Sequence, residues 1–257
     1  MEKSAAWYMK ALEHNPKNAI AAHALGALGG EKLEGASLAY LAELFDSYSA
    51  TFDASLHALE YKSPELLRRA VDGLLQGEGE AGKAPEWRVM DAGCGTGLSG
   101  LVFRNLSQHL LGVDVSRRMV QKAQARAVYD ELVVGDMAEE LLNRQGTLDL
   151  VVSADVLVYM GRLEYIVGSV GKALKEKGLF AFTLEAWEEE EREEGGKGGG
   201  GEEGWLLRPT GRYAHRREYV EDLLEKVGLG VLKAEAIVGR RDKGEAIKGW
   251  LFLCQKR

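Results

Sequence analysis

The chain has 257 residues, 46% of them hydrophobic, enough to bury one full core and a smaller attached unit. Its net charge of −7 is concentrated in residues 188–204, with eight Glu against one Arg and one Lys, so the remainder is close to neutral. That balance offers no basic face for a phosphate backbone, and no nucleic acid partner is expected. Cys94 and Cys254 form no CxxC and have no histidine at metal-ligand spacing, so no metal is expected and a reducing compartment suits them. The start, MEKSAAWYMKALEHNPKN, lacks the apolar stretch of a secretory signal. No apolar run approaches the roughly 20 residues of a membrane helix. A cytoplasmic protein without membrane contact is expected, and an organellar presequence outside these residues is compatible with that.

Residues 4–28 read as helix, turn and helix. Trp7, Tyr8, Ala11 and Leu12 share one face, and Ala19, Ala22 and Leu25 another, around an Asn15-Pro16 turn. This stretch is similar to part of a tetratricopeptide repeat, although an ordinary helical hairpin accounts for the packing equally well. Such repeats need about three copies to bury a core of their own, so a cap on the main domain is expected, with weak protein contact through these helices. Leu38, Leu41, Phe45, Tyr48 and Phe52 predict a helix over 36–52. A further helix runs from Pro64 to about Leu75, with Ser63 as its N-cap. QGEGEAGKAPE then reads as a linker. The domain organisation is thus a helical cap (1–76), a linker (77–86) and an α/β domain (87–257).

Within the α/β domain, β-rich runs alternate with amphipathic helices: WRVMDAG, LLGVDV, ELVVGD, LDLVVSADV and GLFAFTLE, each with a helical stretch between. The alternation predicts a Rossmann-like, doubly wound, mostly parallel sheet. Two more strands, 229–238 and 247–254, joined by RRDKGEA as a hairpin connection, make seven with an antiparallel last strand. Residues 188–204 cannot bury apolar surface and are expected to be a disordered insert.

Val89-Met90-Asp91-Ala92-Gly93-Cys94-Gly95-Thr96-Gly97 is a strand entering a glycine-rich turn, with helix from about Ser99. Glycines let the backbone turn tightly and let a ligand approach it. N–H groups at the helix start offer donors to a polar ligand. Asp114 ends the second strand, where a carboxylate can accept from both hydroxyls of a ribose. Asp136 ends the third, placed for an adenine amino group. Singly, each acid reads as a solvated loop residue or a helix cap; the three together after a glycine loop define a nucleotide site. Gly95, Gly97 and Gly100 also satisfy the dinucleotide fingerprint, so a nicotinamide oxidoreductase is a rival. Against it, none of the nine tyrosines is followed four residues later by Lys, and the Asp-x-Gly-x-Gly-x-Gly form favours a methionine-bearing ligand.

VMDAGCGTGLSG, GVDVS and VGDM together resemble class I S-adenosylmethionine-dependent methyltransferases. More narrowly, ALGALGGEKLEGASLAYLAELFDSYSATFDASL, YKSPELL, RMVQKAQARAVYDEL, SADVLVYMG and LRPTGRYAH resemble predicted bacterial-type methyltransferases that carry a tetratricopeptide segment in front. The resemblance implies S-adenosylmethionine as the cofactor. It implies that Asp91 and the backbone of Gly93, Gly95 and Gly97 hold the methionine moiety, and that Asp114 holds the ribose. Val115 and Met119 would pack near the adenine, and Asp136 and Met137 would read its edge. Ala154 would offer its carbonyl to the methionine ammonium. Tyr48 and Phe52 would close over the cofactor, Phe52 standing where related enzymes often have Tyr.

A sulfonium is already a strong methyl donor, so catalysis needs alignment more than acid–base chemistry. The candidates for a catalytic role are Asp155 and Tyr159 past the fourth strand and His215 beyond the insert, the histidine as a proton acceptor or as a structural hydrogen-bonded residue. Glu185 ends the fifth strand, and Arg212 is suited to an acceptor carboxylate or to a surface ion pair. Cys94 is expected to have no nucleophilic role. The expected acceptor is a small molecule; a protein acceptor, a non-catalytic scaffold and an NAD(P)-dependent oxidoreductase are the alternatives.

Overall fold

In a computed structural model, residues 2–29, 33–77, 86–188, 203–242 and 244–257 are described. The interior of the linker and most of the acidic insert, including its predicted disorder, lie outside those residues.

The parallel part of the sheet is built from β1 (Trp87–Ala92), β2 (Ser107–Asp114), β3 (Glu131–Val134), β4 (Leu148–Ser153) and β5 (Leu174–Ala186). Alternate residues of these strands feed two cores. Met90, Leu111, Val151 and Phe180 pack on one face with α8 (Met137–Leu142), α9 (Glu164–Ala173) and α10 (Arg217–Lys226). Val89, Leu110, Leu150 and Leu179 pack on the other with α5 (Ser63–Gly77) and α6 (Leu98–Phe103). Burial on both faces is why these strands are almost continuously apolar. The helix after β2 is α7 (Arg117–Ala125).

Among the described residues the sheet has nine strands rather than seven. The additions are β6 (Trp205–Leu207) and β7 (Tyr213–His215), three-residue strands too short to register as apolar runs. The strand order is β3-β2-β1-β4-β5-β7-β6. A long hairpin of β8 (Leu229–Asp242) and β9 (Glu245–Lys256) also joins β5, with β9 antiparallel to it over Leu179 to Glu185. At Glu185 the edge of β5 forks, because β7 pairs with Glu185 and Ala186 where β9 departs. RRDKGEA is therefore mostly strand, not connection. The β8–β9 register shifts between Val238 and Arg240, a bulge at Gly239 that leaves Arg240 buried.

The N-terminal helices are α1 (Glu2–His14), α2 (Ala19–Gly29), α3 (Leu38–Tyr48) and α4 (Phe52–Ala58). The first two form a hairpin, but Trp7, placed on the packed face by its spacing, is 70% exposed. The helix predicted over 36–52 ends at Tyr48, and Phe52 opens the next one. Ser47 and Ser49 hydroxyls donate back to the Leu44 and Asp46 carbonyls, satisfying the last turn of α3 and ending it. His23 stacks on Tyr40 at 4.1 Å between ring centroids, and its Nε2 lies 3.0 Å from the Gly211 carbonyl. Ala27 packs with Trp205, Leu207 and Tyr213, so α2 and α3 are anchored to the β6–β7 region. No helix among the described residues is long and apolar enough to cross a membrane.

Candidate functional site

The carboxyl ends of β1, β2 and β3 open into a cleft of about 1080 Å³, counting its mouth. The turn after β1 needs glycine, because Gly93, Gly95 and Gly97 have φ of +83°, +53° and +91°. A Cβ on Gly93 would also lie 2.4 Å from Val156 Cγ2, so the loop after β4 comes up against this turn. Asp114 fastens the turn to β2: its Oδ2 accepts from the Gly95 N–H at 2.9 Å and its Oδ1 from the Ser116 N–H at 2.8 Å. Burial pushes the Asp114 carboxyl above its ordinary range, while these two N–H donors oppose the shift. Each oxygen keeps a further lone pair for a ligand hydroxyl.

Asp91, near the end of β1, is 1% exposed and does not itself line the cleft. Its Oδ2 accepts from the Tyr129 hydroxyl at 2.6 Å, and that hydroxyl accepts from the Gly100 N–H at 3.1 Å. Burial pushes the Asp91 carboxyl up to about 7, Tyr129 opposing and Asp114 adding to the shift. Its Oδ1 is buried with no hydrogen-bond partner among the described residues. A buried polar atom left unpaired is costly, which suits a site completed by a donor from a ligand. Tyr129 escaped the sequence reading. Its trace is Gly100 and Gly112, where a Cβ would lie 2.3 Å and 2.9 Å from its ring.

Gly93, Gly95, Asp114, Val115, Asp136, Met137, Ala154, Asp155 and Tyr159 all line the cleft. Asp136 also caps α8, accepting from the Ala138 N–H at 2.8 Å. The Ala154 carbonyl already accepts from the Tyr61 hydroxyl at 3.3 Å. The other predicted residues stand elsewhere. Gly97 caps α6 and packs against Tyr129 and Arg126. Met119 is fully buried and does not line the cleft, and its N–H donates to Ser116, the N-cap of α7. Tyr48 points outward at 42% exposure, because α3 ends there; Phe45 and Phe52 line the cleft in its place. His215 is fully buried on β7, away from the cleft, with Nε2 3.0 Å from the Gly161 carbonyl. Burial, only partly offset by contacts with the Gly161 and Met160 backbone, pushes its imidazole down to about 4. This placement matches the structural, hydrogen-bonded alternative for His215.

The roof consists of Leu38, Leu41 and Phe45 from α3 and Phe52 and Leu56 from α4. Two carboxylates latch it down. Asp46 accepts from the Ser116 hydroxyl at 2.6 Å, and Asp53 accepts from the Thr96 hydroxyl at 2.5 Å and pairs with Arg126 at 2.7 Å.

The far end of the cleft holds Asp155, Tyr159, Arg212 and Arg240. Asp155 has φ of +56°, strained for a non-glycine residue. Its Oδ1 accepts from the Thr183 hydroxyl at 3.0 Å and the Ser63 hydroxyl at 3.3 Å, and its Oδ2 pairs with Arg240. Arg240 also pairs with buried Glu185, which Arg208 holds from the other side at 2.7 Å. Arg212 Nε donates to the Tyr159 hydroxyl at 3.3 Å. Burial disfavours its charge, but Tyr159 and the Glu185 and Asp155 carboxylates outweigh that and hold it protonated.

Residues 89–178 match the family model described as a methyltransferase domain. The fold is the one seen in solved methyltransferase structures. Among curated relatives, the 18S rRNA (guanine-N(7))-methyltransferase of Arabidopsis thaliana is 35% identical over 72 residues, 28% of this chain and 25% of that protein. The magnesium-protoporphyrin O-methyltransferase of Rhodobacter capsulatus is 35% identical over 96 residues, 35% of this chain and 39% of that protein. The chain thus spans well under half the length of either. Among solved structures, the complex of the Haloferax volcanii Trm112 methyltransferase activator with a methyltransferase aligns at TM-score 0.60 and 17% identity, over 82% of this chain and 96% of that one. The matched family leaves α1 and α2 outside it, so they stand as a helical hairpin without a tetratricopeptide assignment. The expectation that nucleic acid plays no part is overturned: one matched relative is by name an rRNA methyltransferase, and a structural neighbour is complexed with a protein activator. Net charge averages over the surface and does not report on one local face.

Proposed function

We propose that this chain is an S-adenosylmethionine-dependent methyltransferase, with residues 87–257 as its catalytic domain and 1–76 as a cap that roofs the cleft. The observation that carries the reading is Asp114, which ties the glycine turn to β2 while facing the cleft with lone pairs to spare. In this reading Asp114 holds the ribose, Val115 and Met137 flank the adenine, and Asp136 reads its edge. The turn from Gly93 to Gly97, the Ala154 carbonyl and Asp91 hold the methionine end. Bound there, S-adenosylmethionine supplies a methyl group on a positively charged sulfur. Phe45 and Phe52 exclude water from that end, and Tyr159 and Arg212 position the acceptor. An acceptor small enough to enter beneath this roof is favoured, because α3 and α4 cover the cleft. Calorimetry is expected to show one S-adenosylhomocysteine bound per chain and no binding of NADH; the reverse preference would support an oxidoreductase instead.

The buried Asp91 gives this binding a pH dependence. Its folded value, about 7, lies above the ordinary 3.8. Its contribution to stability is therefore fully present below about 3.8 and is lost as pH rises through about 7. A ligand ammonium favours the ionised form, so S-adenosylhomocysteine affinity should fall as pH drops below about 7, by up to roughly tenfold per unit. Titrations from pH 5.5 to 8.5 check this. Asp91→Asn should flatten the profile, and an unchanged slope in that variant would remove Asp91 from the account.

A further inference from the structure

The far end of the cleft combines two guanidinium groups with carboxylates that are already ion-paired. Arg212 is a third exposed, and its nearest carboxylate oxygen, on Glu185, is 3.8 Å away. Beside it, Arg240 is 4% exposed and lines the cleft, and its Nε–H has no hydrogen-bond partner among the described residues. A buried guanidinium N–H without an acceptor is a deficit that an anionic oxygen fills with a charge-assisted hydrogen bond. The local acids do not fill that role, because Asp155 and Glu185 are already committed to Thr183, Ser63, Arg208 and Arg240.

The proton-accepting groups at this end are engaged too. Asp155 carries two hydroxyl donors and a guanidinium. The Tyr159 hydroxyl meets Arg212, and the Tyr61 hydroxyl donates to Ala154. Burial and the nearby Asp91 and Asp114 push the Cys94 thiol well up. His215 lies outside the cleft. Among the described residues, a proton taken up by Asp155 would have to break its ion pair with Arg240, whereas a carboxylic acid arrives ionised at neutral pH and gives up no proton.

We infer that the methyl acceptor is a carboxylate, held through one oxygen by Arg212 and the Arg240 Nε–H with its second oxygen toward the methyl group. The inference rests on the methyl-transfer reading and narrows it to one substrate class. The free carboxylate oxygen forms the new C–O bond as the C–S bond breaks. The electron pair of that bond stays on sulfur, giving a neutral thioether and a methyl ester, and no proton moves.

Two measurements on the full chain test it. With S-adenosylhomocysteine bound, octanoate and phenylacetate should bind at least tenfold tighter than their primary amides. Arg212→Gln should erase that preference and Arg212→Lys restore part of it, while S-adenosylhomocysteine binding is unchanged in both. Equal binding of acid and amide by the unmodified chain, or an intact preference in Arg212→Gln, overturns the inference. Second, with methyl-labelled S-adenosylmethionine and a metabolite extract, the product should release its label as methanol in mild alkali, as esters do. Label that survives alkali, whether in small molecules, protein or RNA, overturns it, as does the lack of any labelled product. Failure to bind S-adenosylhomocysteine at all strikes the methyl-transfer reading itself.

Discussion

Asp114→Ala is expected to weaken S-adenosylhomocysteine binding by about 1–3 kcal/mol, roughly 5- to 150-fold. Two effects add. The ribose loses its acceptors, and the Gly95 and Ser116 N–H groups lose theirs. The second effect loosens the turn, so methionine contacts suffer along with ribose contacts. Asp114→Asn separates the two, because the amide keeps one acceptor oxygen and replaces the other with a donor. It should fall between wild type and alanine if one N–H remains satisfied. Calorimetry at fixed pH reads both variants, and an unchanged affinity in Asp114→Ala would place the ribose elsewhere.

The second large effect is on stability. Arg240→Ala should cost about 3–5 kcal/mol, because it leaves Asp155 and buried Glu185 without the charge that compensates them. Glu185 retains Arg208, which favours the lower half of that range. Urea unfolding followed by tryptophan fluorescence measures it. A loss below about 1 kcal/mol would mean that water or a rearranged Arg212 takes over the pairing, and that Arg240 does not organise this end of the cleft.

The parallel sheet and the glycine turn were legible because each obeys a short-range rule. Alternating apolar and amphipathic segments report a doubly wound sheet, and Asp114 and Asp136 report strand ends without any knowledge of packing. Long-range contacts left weaker traces. Arg240 lies in a charged run that resembles a turn, and only the Gly239 bulge, next to Ser63 and Asp155, buries it. Tyr129 lies in a stretch that carries the family resemblance without pointing to a role for it, although glycines at 100 and 112 make room for it. His215 illustrates the opposite case. A histidine after a low-complexity insert invites a catalytic role, but the burial of β7 assigns it to packing. Tyr48 and Phe45 share one helix, and only the way α3 lies across the cleft decides which of them faces it.

A crystal structure of the chain with S-adenosylhomocysteine is the most direct measurement. The ribose hydroxyls should hydrogen-bond to the Asp114 carboxylate, with the adenine between Val115 and Met137 and the amino-acid end on the Gly93–Gly97 turn. A ligand found outside this cleft, or inside it with its ribose away from Asp114, would contradict the account.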